Sequence, residues 1–237
     1  MSKRNKSAER AARVAALRAE QARREKQRRL LTIGGVVAAL LVVVAVGFWL
    51  QSRAGKIEEG IATPAGATAD YGLRIGDAGA DHEVVIYEDF ICPACKSFEE
   101  TFAGTLDTAV TDGRATVEYR PFKFLTQFGD YSERTVNAFA VVLDTSGPDV
   151  AKKFHDILYA EQPPENGDHP DDAWLIEKAV EAGATEAEVA DGINNLEFGA
   201  WVGNGAKAAT SAGIKGTPTV IVDGEAIDQS TLAEALQ

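Results

Sequence analysis

The chain carries two cysteines, and they stand three residues apart in Cys92-Pro93-Ala94-Cys95. Two cysteines placed at random in a chain of this length fall at that spacing roughly once in 120 placements, so the spacing carries information. Three chemistries use such a pair. A structural crosslink across so short a loop contributes only about 2 kcal/mol in the chain-entropy picture, against about 3 for a loop of 15 residues, so a staple would be better made between distant partners. Metal binding needs two further ligands. The remaining nitrogen ligands are His82, His155 and His169, none in a paired ligand spacing. Lone histidines of this kind read as surface or capping residues, so no metal or other cofactor is expected. Thiol–disulfide exchange needs an exposed, acidic thiol and a second thiol within one helical turn that resolves the mixed disulfide. This third reading fits best.

The elements around the motif can supply that arrangement. Glu83–Tyr87 (EVVIY) is a compact apolar run of the kind that forms a buried strand, and the motif follows directly. Pro93 suits the first position of a helix. Ala94, Phe98, Phe102, Leu106 and Val110 recur at a spacing of four, giving that helix one apolar face. Cys92 then lies at the positive end of the helix, where free backbone N–H groups lower a thiol's pKa. Cys95 lies one turn along and deeper. Phe90, Ile91 and Pro93 offer an apolar surface to an unfolded chain.

Further out, Tyr71–Ile75 reads as a short first strand and Ala115–Arg120 as an alternating one. Five helical stretches follow: Tyr131–Leu143, Asp149–Tyr159, Asp171–Ala182, Thr185–Phe198 and Trp201–Ala212. Thr219–Val222, the turn signal Asp223-Gly224 and Glu225–Ile227 make a hairpin. Thr231 and Glu234 have capping-box spacing for a last short helix.

The formal charge of −12 averages two unlike parts. Residues 1–30 hold 11 Lys/Arg and 3 Asp/Glu, a balance of +8, whereas residues 51–237 hold 13 and 33, a balance of −20. Between them Leu30–Leu50 runs 21 residues without a charge, enough for a helix of roughly 30 Å that spans a bilayer core. The basic tail places the N-terminus in the cytoplasm and the acidic part outside. A cleaved signal peptide is the alternative, but its apolar and basic regions would be shorter. The tail reads as a solvated topology determinant. The expected organisation is a basic tail at 1–29, a membrane helix at 30–50, a spacer at 51–70, a catalytic domain at 71–126 and 213–237, and a helical insertion at 127–212.

Val84–Phe98 (VVIYEDFICPACKSF), the later Gly216-Thr217-Pro218-Thr219-Val220 and the helical block between them resemble the DsbA-like proteins of the thioredoxin fold, most closely the membrane-anchored forms of high-GC Gram-positive bacteria. The resemblance covers about residues 71–237. It implies an α/β thioredoxin fold with an inserted helical domain, Cys92 as nucleophile and Cys95 as resolving thiol. It also implies a cis-proline loop at Pro218, with Thr217 presenting its backbone to the substrate. The family often places a buried acid six residues before the first cysteine, and here that position is Ile86. Glu88 and Asp89 are the candidates for proton transfer to Cys95. The dipeptide between the cysteines, Pro-Ala, lacks the histidine of the best-known oxidases.

The function implied is an extracytoplasmic thiol–disulfide oxidoreductase that oxidises exported proteins. Its substrates would be reduced exported proteins, and a membrane re-oxidase of the DsbB or VKOR type would restore its disulfide. Nothing points to nucleic acid. Two rivals stay open: the same chemistry run as a reductase or isomerase, for example in cytochrome c maturation, and a non-catalytic anchored binding module. Reactivity of Cys92 separates the enzyme readings from the module.

Overall fold

A computed structural model describes residues 34–35, 40–44 and 57–237. The chain divides into two units, Met1–Ala54 and Gly55–Gln237. The expected membrane helix at 30–50 lies mostly outside the described residues, as does the basic tail at 1–29. Among the described residues no helix is long and apolar enough to cross a membrane.

The second unit is built on a five-stranded mixed sheet in the order β1-β3-β2-β4-β5, formed by Leu73–Ile75 (β1), His82–Glu88 (β2), Ala115–Pro121 (β3), Thr219–Val222 (β4) and Glu225–Ile227 (β5). Only β2 and β3 run parallel, with Val84 opposite Val117, and they need the crossover helix α1 (Pro93–Thr111) between them. The hairpin β4–β5 turns at Asp223-Gly224, both in the left-handed region, as that turn requires.

Side-chain alternation divides the faces of β2. Val84 and Ile86 pack into a core with Phe98 and Leu106 of α1, whereas Val85 and Tyr87 pack with Phe122 and Ala209 on the other side. The buried face of α1 is Cys95, Phe98, Glu99, Leu106 and Ala109, and Ala94 is exposed. A strict spacing of four drifts around a helix of 3.6 residues per turn, so the expected face beginning at Ala94 is displaced by one residue at its start.

Between β3 and β4 lie α2 (Tyr131–Ser146), α3 (Pro148–Ala160), α4 (Asp172–Ala182), α5 (Glu186–Asn194) and α6 (Gly199–Ser211). Helix α2 is buried along eleven of its sixteen residues and packs against the other four. At Gly192 α5 approaches so closely that a Cβ would lie 3.0 Å from Val141. Asn137 seals the same junction, donating to the Gly192 carbonyl and accepting from Phe198 N–H.

Two local expectations are revised. Thr231 and Glu234 form no capping box in the short last helix α7 (Leu232–Ala235). The Thr231 hydroxyl instead donates to the Asp228 carbonyl, and Asp228 caps the preceding 3₁₀ turn through Ser230 N–H. The described part of the spacer is also held against the domain. Asn204 grips the backbone of Glu58 by two hydrogen bonds of 2.9 Å, Ala65 N–H donates to Asp144, and Ile61 and Ala67 pack on the helical core.

Candidate active site

Strand β2 ends at Glu88, the chain turns through Asp89 and Phe90, and α1 begins at Pro93, where the missing proline N–H leaves no hydrogen bond unmade. Cys92 is the extended residue capping that helix. It keeps 6% of its surface, whereas Cys95 has none. An incoming thiol can therefore reach the first sulfur and not the second. Neither cysteine is bonded, so the pair is in its dithiol form.

Facing Cys92 is the loop before β4. The Thr217–Pro218 peptide bond is cis, and the Cys92 thiol donates to the Thr217 carbonyl at 3.4 Å. The Thr217 hydroxyl is buried without a partner among the described residues. An open groove of about 540 Å³ continues from Pro218 along Phe102, Val220, Ile227 and Ser230.

The two thiols are electrostatically unequal. A hydrogen bond from the Cys95 thiol lowers the Cys92 pKa to about 6; burial opposes this, and the Thr217 side chain and the backbone amides of Cys95 and Ala94, all able to donate to the thiolate, reinforce it. The helix N-terminus thus contributes, as the motif implies, but the neighbouring thiol contributes more. Burial pushes Cys95 in the opposite direction, far above an ordinary thiol, and the proximity of Cys92 and the charge of Glu88 add to it. Alkylation of the reduced protein at Cys92 by iodoacetamide is therefore expected to titrate with a midpoint near pH 6. A midpoint above about 8, that of an ordinary thiol, would refute this activation. Because the folded value lies below the unfolded one, the stability this thiol adds to the reduced form is fully present above the unfolded pKa. It is lost as pH falls towards 6.

The two acids preceding the motif are placed differently. Asp89 is fully buried, and its carboxylate accepts four hydrogen bonds, from the N–H groups of Ile91, Phe124 and Leu125 and from the Ser132 hydroxyl. Its backbone amide works weakly against the rise of the Cys95 pKa. Glu88 is also fully buried. Its Oε1 meets His155 Nε2 at 2.7 Å, and its Oε2 has no partner among the described residues. Strand period two puts Glu88 on the same side of β2 as Ile86, so the acid has moved one pleat closer to the motif than the family's usual position.

Four neighbours were not legible as site residues. Glu99, one turn beyond Cys95, is buried on the inner face of α1, and burial together with the charge of Glu88 raises its pKa to about 7. His155 lies on the apolar face of α3 with Ala151, Phe154 and Leu158. Burial works most strongly against its charge, yet the charge of Glu88, the hydrogen bonds to Asp156 and Glu88 and the charge of Glu99 together outweigh this and raise its pKa to about 10. Gln162 donates to the carbonyls of both Phe90 and Cys92, fixing the backbone of the redox turn from the helical block. Lys96 returns the connection by donating to the Tyr159 and Ala160 carbonyls at the end of α3. Periodicity within the two helices was the available signal for Glu99 and His155.

Comparison with known proteins agrees with this geometry. The family model described as "Thioredoxin" matches residues 68–237. Among curated proteins, the serine/threonine-protein kinase PknE of Mycobacterium tuberculosis is 31% identical over 147 residues, 60% of this chain. That stretch covers 25% of the kinase, so the chain spans about a quarter of the length of that relative. Among solved structures, the reduced form of the disulfide bond oxidoreductase DsbG from M. tuberculosis is similar at 32% identity and a TM-score of 0.61, over 68% of this chain and 82% of that one. Reduced DsbA from M. tuberculosis is similar at 32% identity and a TM-score of 0.59, over 67% and 85%.

Proposed function

Since the chain belongs to the thioredoxin family, and its solved neighbours above 30% identity are DsbA- and DsbG-type proteins, we propose that it is a thiol–disulfide oxidoreductase that oxidises exported proteins through Cys92 and Cys95. The observation that carries this reading is the unequal thiol pair: an accessible Cys92 with a pKa of about 6 beside a sealed Cys95.

The reaction follows from that inequality. A substrate thiolate attacks Cys92 Sγ of the closed disulfide, the Cys92–Cys95 bond breaks, and Cys95 leaves with the electron pair. Burial disfavours a thiolate there, so Cys95 takes up a proton; Glu88, with an unpartnered oxygen and a charge felt at Cys95, is the group placed to relay it. A second substrate thiolate then attacks the substrate sulfur of the mixed disulfide. Cys92 departs as a thiolate, the form it mostly holds above pH 6. The substrate has lost two electrons and the enzyme has gained them.

The Thr217 carbonyl and the groove beyond Pro218, with its apolar floor of Phe102, Val220 and Ile227, suit an unfolded segment laid beside Cys92. Asp89 serves this site by holding the turn rather than by moving protons, because all its accepting directions are in use.

Direction depends on which form the protein stabilises. Lowering a thiol pKa from an ordinary value to about 6 stabilises the dithiol form about tenfold at pH 7, which raises the reduction potential by about 30 mV. The charge division and the apolar run support a location on the outer face of a membrane, with residues 30–50 as the anchor. A membrane re-oxidase of the DsbB or VKOR type would accept the two electrons. The deciding measurement is the reduction potential of the Cys92/Cys95 pair. An oxidase is expected well above about −270 mV, towards −120 mV, and a value at −270 mV would make it a reductase.

A further inference from the structure

In the buried interior, three side chains of metal-binding type converge from three separate elements. Glu88 comes from the end of β2, Glu99 from α1 and His155 from α3. One ligand atom from each lies within 4.8 Å of the other two. Glu88 and His155 have no exposed surface and Glu99 has 7%. Both oxygens of Glu99 and Oε2 of Glu88 are buried without a partner among the described residues. Buried carboxylate oxygens are costly to leave unpaired, so three of them around one point call for an occupant.

We propose that Glu88, Glu99 and His155 form a binding site for a divalent cation of the zinc class. His155 would bind through Nε2 and each glutamate through an oxygen. The second ring nitrogen, Nδ1, already meets Asp156 at 2.9 Å. That is the carboxylate–histidine–metal arrangement, in which an outer carboxylate fixes the tautomer and aims the other nitrogen at the ion. Asp156 is itself held by both oxygens to Lys152.

Ligands about 2.1 Å from a tetrahedral ion lie about 3.4 Å from one another. The 2.7 Å contact between His155 and Glu88 would open and the wider separations would close. Calcium and magnesium are poor fits. They take six or more oxygens, whereas this site offers one imidazole and two carboxylates, a set suited to zinc. The site is distinct from the thiols and its test does not depend on the oxidoreductase reading, although it shares Glu88 with the proton path proposed there.

The test uses the full chain in detergent micelles, free of any affinity tag, with Cys92 and Cys95 closed as a disulfide so that neither thiol can ligate. Zinc chloride is titrated against a competing chelator. One equivalent is expected, with Glu99→Gln and His155→Gln each weakening binding at least tenfold and Asp156→Asn about tenfold. His82→Gln and His169→Gln should leave binding unchanged. Absence of a stoichiometric site, retention of full affinity in Glu99→Gln, or loss in His169→Gln would overturn the proposal. Should the buried variants fail to fold, X-ray absorption at the zinc edge of the unaltered protein decides. One imidazole with oxygen ligands supports the site; a shell without imidazole, or with several, refutes it.

Discussion

Cys95→Ala is expected to accumulate the protein in mixed disulfides with exported proteins, each formed when the Cys92 thiolate attacks a disulfide of the substrate, breaks its S–S bond and releases one substrate thiolate. An adjacent thiol held within one helical turn acts at an effective concentration far above that of any thiol in solution. Losing it should lengthen the life of such an adduct on the order of a thousandfold. A second effect opposes the first. The Cys95 thiol is the foremost cause of the low Cys92 pKa, so the variant's nucleophile should titrate above 6 and form its adducts more slowly. The prediction is thus a slow approach to a long-lived complex, read on non-reducing gels of membrane fractions after acid quenching. Because the chain has no other cysteine, the double variant Cys92→Ala/Cys95→Ala is a complete control. Adducts that persist in the double variant, or none in Cys95→Ala, would remove the proposed mechanism.

Asp89→Ala should be the most damaging single change away from sulfur. It leaves the amides of Ile91, Phe124 and Leu125 and the hydroxyl of Ser132 without their acceptor. The residue is fully buried, so water replaces the lost carboxylate poorly. An unsatisfied buried donor costs roughly 1–3 kcal/mol, and local relaxation recovers part of it, so a loss of about 3–5 kcal/mol is expected. Asp89→Asn keeps one carbonyl oxygen and should lose about half as much. Chemical denaturation of the two variants checks this. A loss below about 1 kcal/mol in Asp89→Ala would show that the four bonds do not hold the turn.

The order of elements and the redox motif were readable because each rests on local rules. EVVIY is a buried strand by composition, Pro93 opens a helix, Asp223-Gly224 turns a hairpin, and each appears where those rules put it. What escaped depended on burial of residue types that ordinarily face water. Glu99 and His155 lie on apolar helix faces, yet a glutamate and a lone histidine carry no mark of burial in themselves. Gln162 and Lys96 act through backbone carbonyls distant in sequence, and no spacing rule anticipates such bonds. Thr231 and Glu234 show the converse: the spacing was right, but Asp228 offered a nearer acceptor.

The bonds from Gln162 to the Phe90 and Cys92 carbonyls bear on how the chain is divided. Residues 127–212 look like an insert that could be cut out to leave a minimal redox domain. Yet Gln162, His155 and Ser132 of that block hold Cys92, Glu88 and Asp89, and Phe90, Cys92 and Cys95 share their apolar core with α2 and α3. The redox turn is therefore half built from the insert. Excision would take away the scaffold of the chemistry itself, and a sequence boundary here does not mark a unit that can be exchanged between proteins.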